Sequence, residues 1–225
     1  MKLLLTNDDG IDAPGLQGLR QAVDDEGIIV APDKQQSRCG HQVTTQQPIQ
    51  VRQHSETAFA VDGTPADCVR LALKHLCPDA DYVLAGINQG GNLGADIYVS
   101  GTLAAVREAA LQGVPGAAVS QYYRPGQAID WERGACWTAR VLADLQQQTL
   151  QPGQFWNVNL PHLAPEDPDP DWIVCPLSTQ PLPTAYRFDG ESFHYVGDYA
   201  KRDRAPGTDV DVCFSGRIAI SLLQL

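Results

Sequence analysis

LLLTNDDGIDAPG, residues 3–15, opens with three leucines that run into Thr6, Asn7, Asp8, Asp9 and Gly10. An apolar run this short, closed by polar residues and a glycine, predicts a buried strand that stops at a loop. Adjacent carboxylates repel unless a cation or a shared proton lies between them. Asp8 and Asp9 therefore admit two readings: a hard-metal site at the carboxyl end of the first strand, or a solvated turn serving a bend and a helix cap.

Working outward, Pro14 and LQGLRQAVDDEG put Leu16, Leu19 and Val23 at helical spacing, with Gly27 as the stop. GIIVAPD (27–33) predicts a second buried strand. KQQSRCGHQVTTQQPIQ (34–50) has no period and reads as a long loop, a kind that often carries function. AFAVDG (58–63) is a short strand, and Thr64-Pro65 caps a helix over PADCVRLALKHL. YVLAGINQGGNLGADIYVSGT (82–102) is a strand followed by a glycine-rich loop. TLAAVREAALQG is a helix, GVPGAAVS a strand, WERGACWTARVLADLQQQ (131–148) a long helix and FWNVNLP (155–161) a further strand. Strands alternating with helices of this length predict a three-layer α/β sandwich, mostly parallel and covered on both faces. Right-handed crossovers then gather the strand-end loops on one edge, where ligands bind.

Residues 1–161 are thus expected to form the α/β core. Pro161, Pro165, Pro168, Pro170, Pro176, Pro181 and Pro183 disfavour helices beyond it. YRFDGESFHYVG (186–197) predicts a hairpin turning at Asp189-Gly190. Residues 162–215 read as extended excursions suited to oligomerisation, and 216–225 as a final strand returning to the core.

The chain has 225 residues and a formal net charge of −11. That acidity argues against a nucleic-acid polymer as partner, but not against a small anion held by a metal or a helix N-terminus. The six cysteines form no CxxC pair and no zinc-spaced cluster with histidine, and several, in apolar context, read as small core residues. Lys2 leads directly into the first strand, no signal peptide precedes it, and no run approaches membrane-spanning length. A soluble cytoplasmic protein is the expectation.

The strand-end loops bring together Asn7, Asp8, Asp9, Ser37, Asn88 and Asn92, an oxygen set without sulfur or imidazole. It suits Mg²⁺, Mn²⁺ or Ca²⁺ rather than zinc. GINQGGNLG is neither a dinucleotide fingerprint nor a P-loop. Ser100-Gly101-Thr102 opens a helix and reads either as a phosphate cradle or as plain capping. GTPADC carries a similar pair of readings, substrate approach at Gly63 or a turn and cap. Among the histidines His41 lies in the long loop, where it could meet substrate; the others read as surface or packing residues.

LLLTNDDGIDAPGL, VAPDKQQS, VDGTPADCV, AGINQGGNLGADIYVSGTLAAVREAA, WNVNLP and APGTDVDVCFSGRIAISLL together resemble, in order, the motifs of the survival protein E (SurE) nucleotidases. The resemblance implies a Rossmann-like core and a metal-dependent phosphoric monoester hydrolase acting on nucleoside 5′-monophosphates, with 3′-monophosphates open. It implies one Mg²⁺ or Mn²⁺, with Asp8, Asp9, Ser37 and Asn88 as metal ligands. Asn92, Ser100, Gly101 and Thr102 map to the phosphate surroundings, and a homodimer or homotetramer with exchanged C-terminal arms is implied. The sequence departs from the family pattern at Arg38-Cys39-Gly40 after Ser37, where Arg38 could add a phosphate or base contact. It departs again at Val99, where the family has Tyr, and its tail after the last motif is short.

The expected mechanism has Asp8 and Asp9 holding the cation, with Asp9 the favoured acceptor of the attacking water's proton. Two other readings stand beside it. A receiver-like signalling domain would use Asp62 as phospho-acceptor, and a non-catalytic nucleotide-binding protein would bind without turnover.

Overall fold

Leu3, Leu4 and Leu5 of strand β1 (Leu3–Thr6) are all buried, yet they serve different cores. Successive side chains on a strand point to opposite faces. Leu3 and Leu5 pack with Leu16, Leu19, Trp137 and Val141, whereas Leu4 packs with Val69, Leu103 and Val106. Each fully buried leucine contributes roughly 1.5–3 kcal/mol of apolar transfer. The triplet thus ties two helical layers to one strand.

The computed structural model describes residues 1–24, 27–124 and 126–225. The helices behind those contacts are α1 (Pro14–Gln21) and α4 (Trp131–Leu145) on one face, and α2 (Pro65–Leu71) and α3 (Gly101–Leu111) on the other. A π-helical turn, Ala72–Leu76, extends α2. The remaining strands are β2 (Ile28–Pro32), β3 (Val51–Ser55), β4 (Ala58–Val61), β5 (Tyr82–Gln89), β6 (Gly116–Gln121), β7 (Gln154–Leu160), β8 (Trp172–Val174), β9 (Tyr186–Phe188), β10 (Phe193–Tyr195) and β11 (Ile218–Gln224). Among the described residues one nine-stranded sheet runs β3-β4-β2-β1-β5-β6-β7-β11-β8. The block from β4 to β7 is parallel, and only the β3–β4 and β7–β11 pairs are antiparallel. This is the expected mostly parallel, Rossmann-like three-layer α/β sandwich.

Register brings the carboxyl ends together: Thr6 lies beside Ala85, Gln89 beside Gln121, and Gln121 beside Leu160. The helices begin where their caps dictate. Thr64 and Asp67 form a reciprocal capping box ahead of α2, with Pro65 in its first turn. Ser100 caps α3 through Leu103 N–H, and Asp130 caps α4 through Arg133 N–H.

Several elements differ from the sequence reading. The first helix ends at Gln21, and residues 25 and 26, which the expectation covered, lie outside the described residues. Strand β3, VRQHS, is exposed throughout and has no apolar alternation; it is an edge strand held by main-chain pairing to β4. Within 162–215, β8 joins the main sheet beside β11, and a short helix α5 (Asp209–Phe214) follows Pro206-Gly207. The prolines there end before α5 begins, so the helix is compatible with them. The hairpin β9–β10 turns at Asp189-Gly190 as expected and forms its own two-stranded sheet.

Candidate active site

Asn7 sets the acidic turn. Its amide donates to Gly10 O at 2.8 Å and its carbonyl accepts from Gly10 N–H at 3.2 Å. These bonds close the turn around the two aspartates and hold them at the end of β1. Asp8 is only 7% exposed. Its Oδ1 accepts from Thr102 Oγ1 at 2.6 Å, and its carbonyl accepts from Gln36 N–H at 2.7 Å. Burial pushes the Asp8 carboxyl up to about 7; the Thr102 hydrogen bond pulls it down, and the charge of Asp9 pushes it up again. Asp9 is half-buried, with Oδ1 accepting from Gln35 Nε2 and Oδ2 from Gln89 N–H, each at 3.0 Å.

Gly101 explains how α3 reaches this turn. A Cβ there would lie 2.8 Å from Asp8 Cβ and 2.9 Å from Cys39 Sγ, closer than real side chains tolerate. Only a glycine lets the start of α3 rest on the aspartate. Thr102 is fully buried with its hydroxyl committed to Asp8, and Ser100 Oγ is committed to its cap. The first-turn N–H groups of Gly101 and Thr102 have no intrahelical carbonyl to reach.

Asn88, Ser120 and Asn159 stand in one lateral row across β5, β6 and β7. Asn88 Nδ2 donates to Gly90 O at 2.7 Å, which turns its side-chain oxygen into the candidate end for a cation. Asn92 is buried in the loop after β5 and bonds to that row. Its Nδ2 donates to Ser120 Oγ at 2.8 Å and reaches Thr102 Oγ1 at 3.4 Å, while its carbonyl accepts from the amides of Asn157 and Asn159. Asn92 therefore braces the floor of the site. Ser37 lies on an exposed turn after β2, anchored by Cys39 N–H to Gln36 O and Gly40 N–H to Val99 O. The Val99 contact is main-chain, so the family's Tyr is not needed for it. Arg38 is exposed with φ +58°.

The donor set tests well against a hard cation. Asp8 is a buried carboxylate beside a second one, and neither makes an ion pair with a cationic side chain among the described residues. A carboxylate buried in that position gains either a proton or a compensating cation. The oxygens of Asp8, Asp9, Ser37 and Asn88 offer the chemistry that Mg²⁺ or Mn²⁺ prefers.

Sequence reasoning missed the supports. Thr64 caps α2 and Asp67 accepts from Thr64 N–H in return, the plainer reading of GTPADC, but Asp67 also accepts from Thr44 N–H and Oγ1, both at 2.8 Å. His41 bonds Glu108 of α3 at 2.9 Å, which directs it along the helix. The glycine loop is locked by the C-terminal region: Asp209 accepts from Gly94 N–H at 2.6 Å and Ser178 N–H at 2.7 Å. Arg202, 4% exposed, pairs with Asp96 at 2.9 Å. The alternating asparagines of WNVNLP were a usable signal, since two polar side chains on one face of a buried strand need partners. Asp62, the receiver-type candidate, is exposed beside Lys34 at 3.5 Å, and β4 is separated from β1 by β2. It is out of place for an acceptor facing Asp8 and Asp9.

A helix N-terminus, paired acids and neutral oxygens at the carboxyl edge of a doubly wound sheet define the class of Rossmann-like phosphate-handling proteins. Comparison with known proteins narrows the class. The family described as Survival protein SurE matches residues 3–181. A protein of Nostoc sp. (strain PCC 7120), named "Putative 5'-nucleotidase alr3139", is 55% identical over 226 residues, covering 100% of both chains. The 5'-nucleotidase SurE of Geobacter sulfurreducens is 36% identical over 100% of this chain and 88% of its own. The crystal structure of the SurE protein from Aquifex aeolicus superposes with a TM-score of 0.87 at 30% identity, covering 100% of this chain and 93% of that one. The chain belongs to the SurE family.

Proposed function

We propose that this chain is a divalent-metal-dependent phosphomonoesterase that hydrolyses nucleoside 5′-monophosphates, with 3′-monophosphates as a second substrate class, to nucleoside and phosphate. Family membership supports the activity, and one observation carries the chemistry: Asp8, buried without a cationic side chain, in contact with the start of α3.

Asp8, Asp9, Ser37 and Asn88 are the residues that hold the ion. A bound Mg²⁺ or Mn²⁺ would supply Lewis-acid polarisation of the phosphate and a lowered pKa for the attacking water. Asp9, the more exposed carboxylate, accepts the proton of the attacking water. The Gly101 and Thr102 N–H groups, with the dipole of α3, stabilise charge on the phosphoryl oxygens. Ser100 shapes that helix start as its cap. Thr102 acts on the phosphate through Asp8, whose carboxylate it orients, and Asn92 is assigned to positioning.

We further propose that the enzyme is a cytoplasmic homodimer or homotetramer joined through the 162–215 region. Tyr186, Phe188, Phe193 and Tyr195 are each more than half exposed on a two-stranded hairpin, a unit of marginal stability in water. No helix among the described residues is long and apolar enough to cross a membrane. Molar mass in solution checks the assembly: a species at the 24.4 kDa of one chain removes it.

The activity test is phosphate release from AMP, GMP and their 3′ isomers with Mg²⁺ or Mn²⁺, repeated after chelation. Turnover that vanishes with the chelator and returns with metal is expected. Full turnover in chelator ends the metal reading, and binding without turnover under either ion returns the chain to a non-catalytic nucleotide binder.

A further inference from the structure

A cavity of about 180 Å³ opens directly beside Asp9. It is lined by Asp9, Gln35, Gln89 and Trp131, together with Ala13, Pro14 and Gly15 where the chain enters α1. None of its residues apart from Asp9 has a part in the chemistry described above. We infer that this cavity receives the nucleobase of the substrate, with Trp131 as its aromatic wall; the inference rests on the nucleotidase reading.

At Gly15 the lining is built by close packing. A Cβ on Gly15 would sit 1.9 Å from Ile87 O and 3.0 Å from Trp131 Cζ3. A glycine at that position lets α1 lie flush against β5 and brings the indole over the start of α1. Trp131 is half-buried and occupies the first position of α4 after its Asp130 cap. A large aromatic at a helix start, packed on one side and lining a cavity on the other, gives a base a stacking surface independent of its identity. Gln35 and Gln89 are exposed, and carboxamides carry both donors and acceptors for the polar edge of a base. Gln35 Nε2 is the donor to Asp9 Oδ1, so the residue that borders the base also borders the proton acceptor. Phosphate at the start of α3 and base against Trp131 place the ribose over Asp9.

The experiment compares AMP with ribose 5-phosphate, which presents the same phosphate without a base. Stacking on one aromatic contributes roughly 1–3 kcal/mol, so the wild-type enzyme favours AMP in kcat/KM by about tenfold or more. Trp131→Ala lowers the AMP to ribose 5-phosphate ratio by about tenfold, chiefly through KM for AMP, and Trp131→Phe restores most of it. Ala13→Leu, which fills the cavity while leaving the indole packed, lowers the ratio in the same direction and serves where Trp131→Ala does not fold. A wild-type ratio near one overturns the inference, as does a ratio unmoved in Trp131→Ala or, where that variant does not fold, in Ala13→Leu. A wild-type enzyme that turns over neither substrate with Mg²⁺ or Mn²⁺ removes the nucleotidase reading itself, a result distinct from either.

Discussion

Asp8 and Ser37 reach the same sheet edge from adjacent strands, but the protein holds them in opposite ways. Asp8 is enclosed, tied by Thr102 from α3 and backed by Asn92, Ser120 and Asn159 in the floor. Ser37 is exposed; its neighbour Gln36 is tied by its N–H to Asp8 O, and the rest of the loop is fixed further along: Gly40 to Val99, His41 to Glu108, Thr44 to Asp67, and Thr64 Oγ1 to Gln42 O at 2.7 Å. A buried carboxylate must be preorganised, because an unmatched charge in a low-dielectric site is costly. A neutral hydroxyl carries no such penalty, so its loop can lie in solvent and be held by remote clamps on α2 and α3. The buried carboxylate Asp8 thus belongs to the core, and the Ser37 hydroxyl to a strap beside it.

If that division is right, damage on the Asp8 side is felt in the chemistry, and damage on the Ser37 side is graded. Asp8→Asn is expected to lower kcat/KM for AMP by on the order of 10³-fold, since metal stabilisation of several kcal/mol is lost with the ligand. Its fold persists, because the amide keeps the volume and can still accept from Thr102. An Asp8→Asn enzyme within tenfold of wild type would break the comparison at its strongest point. Thr102→Val keeps the shape but removes the hydroxyl that orients Asp8. Activity or metal affinity is expected to fall 10–100-fold, as for outer supports of metal ligands. Titrating activity against Mn²⁺ separates the two, and an unchanged midpoint with unchanged kcat would show that Asp8 holds its place without Thr102.

On the strap side, Asp67→Ala removes the reciprocal half of the α2 capping box, Thr64 N–H to Asp67 Oδ2, and both Thr44 anchors, while the Thr64 cap itself is kept because residue 67 donates to it through the main chain. Hydrogen bonds to one charged, buried acceptor are together worth on the order of 2–3 kcal/mol, read as a drop in the urea midpoint with the m-value unchanged. The activity of the folded fraction is expected to fall only about threefold to tenfold, less than for Thr102→Val.

The same division explains how much of the protein was legible in its sequence. LLLTNDDG announced its strand and acids because a buried charge must be written beside the apolar run that buries it. The alternation of strands and helices gave the parallel core, and Thr64-Pro65 gave α2, since period and caps are local properties. β3 was not legible: an exposed edge strand is defined by the neighbour it pairs with. α5 was masked by prolines that precede it. The strap's clamps were invisible for a related reason, because His41 and Glu108 are 67 residues apart and neither has a local pattern that names the other. The Asp209 and Arg202 contacts to the glycine loop cross even longer separations.

The smallest effect is the most informative about the strap. His41 and Glu108 form a pair with side-chain exposures of 23% and 7%, with Arg70 at 3.7 Å and Gln112 at 2.9 Å also on Glu108. A partly exposed pair is worth up to about 1 kcal/mol, or roughly fivefold in an equilibrium constant. His41→Gln is therefore expected to raise the Mn²⁺ concentration for half-activation about two- to fivefold, with kcat at saturating metal preserved. Glu108→Gln should do the same, and the double variant should be no worse than either single one, because both remove one clamp. Additive losses would mean that the two residues act separately, Glu108 through α3 and His41 on its own. A fall in melting temperature with the metal midpoint unmoved would mean that the clamp supports the fold and leaves Ser37 to the turn it sits on.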